Sequence, residues 1–417
     1  MTETAPRAEL ADIASHDTFV EGVPHYTFAY LRDHDPVSWW DEEDGRGFWS
    51  LTRFDDLRYA SHNHELFSSA KGIRLEDMDD EELHARRTLM EMDPPEHTNL
   101  RRLVNRLFTR RGVGAYEDTI RDIAAGVVDR ALEKKEFDFV TDVARELPMR
   151  MLGRLMGLPD EDGDWLVTMG DQMIANSDPE FTEHVVDKTD TEEFHLLPFR
   201  SPAALELFDY ADDLAGERRA CPGEDLVSKM LLPTKAGDPL PDHEFKNFFA
   251  LMVAAGNDTT RYSIAHAVRE LIDRPELLAR LRNEPEMIDS ASEEFLRYAA
   301  TTMHFRRTAT TDIDLHGKTI REGDKVLLWY ISANFDDRQF EDPFTLNIDR
   351  NPNDHVTFGA GGPHFCLGAW LGRLEVRVAL EELVPRIAAI EQTGDIERLR
   401  SNFINGIKHM PVRVTPG

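Results

Sequence analysis

A single cysteine closing a glycine-rich run, FGAGGPHFCLG at 358–368, constrains this chain more than any other feature, because the loop must hold a reactive sulfur where a helix begins. A thiolate kept as a metal ligand needs its charge offset. Small residues feeding a helix N-terminus supply backbone N–H groups and the positive end of the helix dipole, and glycines permit close backbone approach. From Cys366 to Arg377 the sequence CLGAWLGRLEVR is helical in pattern and brings no second cysteine, so zinc and iron–sulfur ligation find no partner there. The natural reading is one sulfur on one iron, an axial thiolate to haem. Cys221, in the polar, turn-like RRACPGE stretch, is not a ligand candidate. His62 and His64 lack a third ligand and read as surface residues.

No linker divides the 417 residues, so a single domain over 1–417 is expected, with residues 1–20 as a flexible N-terminal extension. With two cysteines there is no disulfide framework, and the polar start lacks a signal-peptide pattern, which predicts a reducing cytoplasm. No apolar run approaches the roughly 20 residues of a bilayer span, so no membrane anchor is expected. A net charge of −31 argues against a nucleic-acid partner. Against that background two basic clusters stand out, Arg101, Arg102, Arg106 and Arg110 in one predicted helix and its end, and Arg373 and Arg377 after the cysteine loop. They read either as salt-bridged surface or as a dock for an acidic partner.

The periodicity is mostly helical. Ile120, Ile123, Ala124, Val127 and Ala131 share one face, as do Leu152, Leu155 and Met156 before the stop at Gly157-Leu158-Pro159. Strand signals are confined to 47–52 and to a hairpin over 313–330 turning at Gly317, so the predicted class is mainly α with a minor β part. Segments 69–95 and 177–202 read as irregular, mobile lids. The second carries seven acidic residues over 178–193, which would disfavour a carboxylate-bearing substrate if it faced the entrance.

An apolar helix over 248–271 is interrupted by AAGNDTTR at 254–261. Glycine and threonines inside a buried helix cost stability, and a threonine hydroxyl can bond back to the i−4 carbonyl. Local cost without structural gain points to function. An acid beside an alcohol makes a proton relay, Asp258 importing protons and Thr259 holding a bound oxygen species or water. Glu294 and Arg297, one turn apart, with Arg350 further on, form a candidate charged clamp.

Taken together and in this order, these elements resemble the cytochrome P450 superfamily over about residues 48–412. The resemblance implies its fold, a triangular-prism helical bundle with small β-sheets holding haem b between the oxygen-binding helix and the cysteine-loop helix. It implies Cys366 as the proximal thiolate ligand, Asp258 and Thr259 as the acid and alcohol serving dioxygen, and Glu294, Arg297 and Arg350 as the structural triad. His97, Arg101, Arg307 and His364 match the haem-propionate contacts, as two buried carboxylates demand. Phe358 precedes Cys366 by eight residues where the family usually has seven. That longer loop, with the GNDTTR form of the helix, resembles bacterial members that hydroxylate steroids, terpenoids or methyl-branched lipids. Pro363 and Trp370 depart from residues common in that group.

The activity so implied is hydroxylation of an unactivated C–H bond in a hydrophobic small molecule, using dioxygen. By the same analogy Ile73, Leu75, Leu251, Ala255, Met303, Phe305, Phe403 and Ile404 would line the substrate pocket. No flavin-binding or iron–sulfur motif is present, so electrons must come from outside, through an acidic ferredoxin docking on the basic face around Arg101, Arg102, Arg106, Arg110, Arg373 and Arg377. A peroxide-driven peroxygenase and a non-catalytic haem sensor are the alternatives; the Asp258-Thr259 pair counts against the first.

Overall fold

The computed structural model describes residues 10–42, 45–234 and 237–417. Its axis is the 32-residue helix Asp242–Asp273, here the oxygen helix. Asp242 and Glu244 in its first turn complement the helix dipole, and the helix stops at Arg274 because Pro275 opens the next one, Pro275–Asn283. Its middle is buried nearly all round, from Phe245 to Leu271, as befits a helix sheathed by others. Those neighbours are Glu146–Met156, Gly163–Ile174, Ala203–Ala220, Ile288–Ala299 and Ala369–Leu383. The last, here the proximal helix, follows the cysteine loop. The predicted stripe at Ile120 to Ala131 lies on helix Glu117–Lys134, and helix Glu146–Met156 ends at Gly157, whose left-handed φ of 76° suits glycine.

The β part is larger than the sequence suggested. A five-stranded sheet runs in the order Val37–Trp40, Phe48–Leu51, Lys325–Trp329, His304–Ala309, Phe67–Ser68. Only the pairing of Phe48–Leu51 with Lys325–Trp329 is parallel. The hairpin predicted over 313–330 divides: Ile313–Leu315 and Lys318–Ile320 pair across the His316-Gly317 turn, whereas Lys325–Trp329 leaves for the sheet. Every residue of that strand is buried, the signature of a central strand and not of a half-exposed hairpin. A three-stranded sheet, Glu136–Asp138, Pro411–Pro416 and Ile387–Gln392, and a pair, Glu397–Arg398 with Ile407–His409, complete the β part.

Segment 69–95 is more ordered than a bare loop. Asp79 and Glu82 close a capping box on helix Asp80–Arg86, and Thr88 and Glu91 close another on the turn Leu89–Glu91. Segment 177–202 holds only two short 3-10 turns, and three of its seven acids are tied to the chain near the C-terminus. Asp178 accepts from the Arg400 backbone N–H at 2.8 Å, Asp187 pairs with the Arg400 guanidinium at 2.6 Å, and Glu180 with Lys408 at 2.7 Å.

Residues 1–9 of the expected N-terminal extension lie outside the described residues. Residues 10–20 are not a free tail: Ile13 and Phe19 are buried, and the His16 ring accepts from the Asn402 N–H at 3.0 Å.

Candidate functional site

Between the oxygen helix and the proximal helix lies a mostly apolar cavity. Cys366, Thr259, His97, Arg101 and His364 all line it. The cysteine loop is set by its glycines. Gly361 and Gly362 have φ of 93° and 72°, and a Cβ on Gly362 would stand 1.9 Å from the Ser61 carbonyl oxygen. The longer loop thus leans on the end of helix Phe54–His62. The Cys366 N–H closes the loop by donating to the Phe358 carbonyl at 2.8 Å. Burial pushes the Cys366 thiol up, while the Gly368 backbone and the charges of Arg101 and Arg373 pull it down.

Two buried polar atoms at this cavity have no hydrogen-bond partner among the described residues, His97 Nδ1 and His364 Nε2. Their rings lie 4.3 Å apart between centroids, tilted by 47°. Beside them Arg101 donates only to the Pro363 carbonyl at 3.2 Å, and the buried Arg307 only to the Arg306 carbonyl at 2.8 Å. A half-buried and a buried cation without acidic partners among the described residues, next to orphaned ring nitrogens, form a site that demands anions. Two propionates meet that demand, and with one sulfur in the same cavity the residues present fit haem.

Asp258 and Thr259 are neighbours that face different ways. Thr259 faces the cavity with its hydroxyl bonded back to the Ala255 carbonyl at 3.1 Å, the helix-loosening contact expected from the sequence. Asp258 is fully buried on the other side, ion-paired to Arg261. Arg261 also holds Asp171 of helix Gly163–Ile174 at 2.7 Å, and Asn257 donates to Asp171 at 2.8 Å. Arg145 also approaches Asp171, at 4.0 Å, and Arg261 is the one cation paired to Asp258 among the described residues. Burial, with the Asp171 charge, pushes Asp258 well above the usual carboxylate range despite Arg261. Its Oδ2 has no partner among the described residues.

The triad residues meet. Glu294 accepts from Arg297 Nε and Nη2 at 2.8 Å each, from Arg350 Nε at 3.2 Å, and from the backbone of Asn347 at 2.9 Å, with Glu294 and Arg297 both fully buried. Arg297 in turn donates to the Asn334 carbonyl at 2.6 Å, tying helix Ile288–Ala299 to the chain ahead of the cysteine loop. Removing one member strands a buried charge. Glu294→Ala is expected to cost about 3–5 kcal/mol in denaturant unfolding; a loss under about 1 kcal/mol would mean the clamp is dispensable.

Of the expected substrate-pocket residues, Leu251, Ala255 and Phe305 line the cavity, and Ile73 and Leu251 line an adjoining space. Leu75, Met303, Phe403 and Ile404 line neither. Met303 turns into a core cluster with Phe28 and Trp329, with Leu75 packed against it, because the backbone of Met303 is held by the Phe403 carbonyl at 2.9 Å. Phe403 and Ile404 pack into the main core, Ile404 bridging to Thr302. The sequence reading missed Leu89, Met90 and Met252 as lining residues, and Glu375. Glu375, on the proximal helix, is buried against the oxygen helix; burial pushes it up to about 8, and a hydrogen bond from Thr260 draws it down. A lone acid in an apolar helical pattern was the available signal.

The basic face is narrower than expected. Arg101 points inward, Arg373 pairs with Glu293 at 2.8 Å, and Arg377 pairs with Glu117 and Glu381 at 2.8 and 2.7 Å. Arg102, Arg106 and Arg110 remain exposed without an acidic partner among the described residues, Arg110 lying over the exposed Trp370 ring at 5.5 Å.

The family model described as cytochrome P450 matches residues 206–389. The chain is 35% identical to a steroid C26-monooxygenase of Mycolicibacterium smegmatis over 95% of its own length and 92% of the relative's. It is 36% identical to a methyl-branched lipid omega-hydroxylase of Mycobacterium tuberculosis over 98% and 96%. Among solved structures, a cytochrome P450 of Mycobacterium marinum in complex with pseudoionone superposes with a TM-score of 0.87 at 36% identity, covering 99% of this chain and 100% of that one. No helix among the described residues is long and apolar enough to cross a membrane. Likeness at this level over almost the whole length, with a cavity that fits haem, makes the chain a member of the cytochrome P450 family, an enzyme of the monooxygenase type whose cofactor is haem b.

Proposed function

We propose that this enzyme hydroxylates an unactivated C–H bond in the aliphatic part of a steroid, terpenoid or methyl-branched lipid, with electrons supplied by a separate ferredoxin and reductase in the cytoplasm. The observation that carries the reading is the cavity itself, apolar over most of its lining, with Cys366 on one side and Thr259 on the other. The activities by which the two relatives are named, at a steroid carbon and at the ω-carbon of a methyl-branched lipid, support the substrate class.

Haem held by Cys366 supplies dioxygen activation and transfer of one oxygen atom to carbon when bound. The chain's own residues do the rest. His97, Arg101, Arg307 and His364 neutralise the propionates and fix the plane of the ring. Glu294, Arg297 and Arg350 brace the approach to the cysteine loop. Thr259 presents its hydroxyl to the cavity. Asp258 takes up a proton at its free Oδ2 and passes it toward the Thr259 hydroxyl when it releases Arg261; its raised proton affinity suits that task. Leu251, Ala255 and Phe305 hold the apolar substrate and exclude water.

Turnover of a methyl-branched lipid with ferredoxin, reductase and dioxygen tests the reading. A product carrying one added oxygen supports it; product formed with hydrogen peroxide alone, at equal rate and without reductase, would replace it by a peroxygenase. For the partner, the free cations Arg102, Arg106 and Arg110 flank the proximal side, and an acidic ferredoxin complements them on a surface otherwise repellent to acids. The double charge reversal Arg102→Glu with Arg106→Glu should slow reduction by about 10-fold or more at low salt. Stopped-flow rates that ignore both the substitution and ionic strength would remove this docking face.

A further inference from the structure

Beyond the apolar cavity lies a smaller, charged space lined by Ile73, Arg74, Glu76, Arg86, Glu91 and Phe199. The two spaces meet at Leu251 on the oxygen helix, whose side chain lines both. Leu251 stands eight residues before Thr259, about 12 Å along the helix at 1.5 Å per residue. An extended molecule with one end beside Thr259 can therefore place its other end here.

The charged groups of this space differ in how well they are satisfied. Arg86 has Glu82 at 3.5 Å, and Glu82 has Arg200 at 2.5 Å as well. Glu91 is held by the Thr88 hydroxyl and backbone. Arg74 has neither kind of partner. It is about nine-tenths buried, yet it forms no ion pair among the described residues, and its side-chain nitrogens reach only Asn176 Oδ1, at 3.5 Å. Its guanidinium carbon lies 5.5 Å from the Phe199 ring centre and 4.8 Å from that of Phe403. Glu76 feels the Arg74 charge but does not pair with it within 4 Å. Burial pushes Glu91 toward its neutral form. Arg74 thus stands without a carboxylate in ion-pair contact among the described residues, whereas Arg86 has Glu82. A buried cation held by ring faces and one long amide contact, open to a cavity, is built to receive an anion from within that cavity.

We propose that Arg74 binds the carboxylate head of an elongated, methyl-branched fatty acid and so presents the distal end of its chain to the oxygen helix. This rests on the monooxygenase reading and deepens it: the substrate is an acid, and Arg74 is the residue that decides which end reacts. Three acids of segment 177–202, Asp178, Asp187 and Glu180, are engaged by Arg400 and Lys408.

The test is a titration of the haem-loaded enzyme, read by the substrate-induced spectral shift, with a methyl-branched long-chain fatty acid and its methyl ester as matched probes. The wild-type protein should bind the acid about 10-fold or more tighter than the ester, and Arg74→Ala should weaken the acid by about 10- to 100-fold with little change for the ester. Arg74→Lys should recover part of the loss, and Arg74→Ala should spread hydroxylation from the chain end to inner carbons. Equal affinity of the wild type for acid and ester would overturn the proposal, even if Arg74→Ala failed to fold. So would equal loss for both probes in Arg74→Ala. If the ester and other apolar molecules are still hydroxylated in that case, the monooxygenase reading stands and only the carboxylate anchor falls.

Discussion

Cys366→Ser is expected to abolish the thiolate signature of the reduced carbon-monoxide spectrum and to reduce ferredoxin-driven hydroxylation at least about 1000-fold, roughly 4 kcal/mol of barrier. Serine keeps the loop's size and its N–H bond to Phe358, so the backbone geometry should survive. What it removes is the soft, electron-donating sulfur that favours cleavage of the oxygen–oxygen bond. The second cysteine offers no rescue, since Cys221 is an exposed residue just after helix Ala203–Ala220 and does not line the cavity. Cys221→Ser should accordingly leave the spectrum and the rate unchanged, and serves as the matched control. A Cys366→Ser protein that kept the thiolate band would refute the assignment outright.

Asp258→Asn is expected to lower turnover by about 10²- to 10³-fold while leaving substrate affinity within about twofold. The separation follows from the geometry. Asp258 lies behind the oxygen helix in its pairing with Arg261 and Asp171, so it does not touch the substrate, yet it is the acid next to the hydroxyl that does face the cavity. An amide cannot carry the proton. The remaining rate should show a larger slowing in heavy water than that of the wild type. Thr259→Ala should behave differently, consuming electrons at a near-normal rate but releasing much of them as hydrogen peroxide. If Asp258→Asn instead raised KM and left kcat alone, the residue would be a packing element and not part of the relay.

The parts of this account that were legible in the sequence are those carried by local patterns. Gly361-Gly362 and Cys366 advertise a close-packed loop before a helix, and Asp258-Thr259 interrupts an otherwise apolar helix. Both are where the pattern places them. Glu294, Arg297 and Arg350 required the family resemblance, because an acid and a base one turn apart are common on any solvated helix; only the fold brings Arg350 in from 53 residues beyond Arg297. Burial direction was not legible. Met303 and Phe403 read as pocket residues because they are apolar, but Met303, just ahead of strand His304–Ala309, packs against Phe28 and Trp329 while Phe305 lines the cavity, and Phe403 packs into the main core. The small sheets escaped for a related reason: strands of two to four residues such as Phe67–Ser68 and Glu397–Arg398 are too short for a period-2 signal. Nor could the sequence tell that Arg373 is neutralised, since its partner Glu293 comes from a distant helix; for Arg377 only the i+4 partner Glu381 was legible, not Glu117.

The central claim is that this cavity inserts one atom of dioxygen into a hydrophobic substrate. Turnover of a methyl-branched lipid with ferredoxin and reductase under isotopically heavy dioxygen, followed by mass spectrometry of the product, tests it most directly. The account predicts a hydroxylated product carrying one heavy oxygen atom, and none in the Cys366→Ser protein. A product whose oxygen derives from water, or consumption of reductant with no oxygenated product from any steroid, terpenoid or lipid offered, would contradict it.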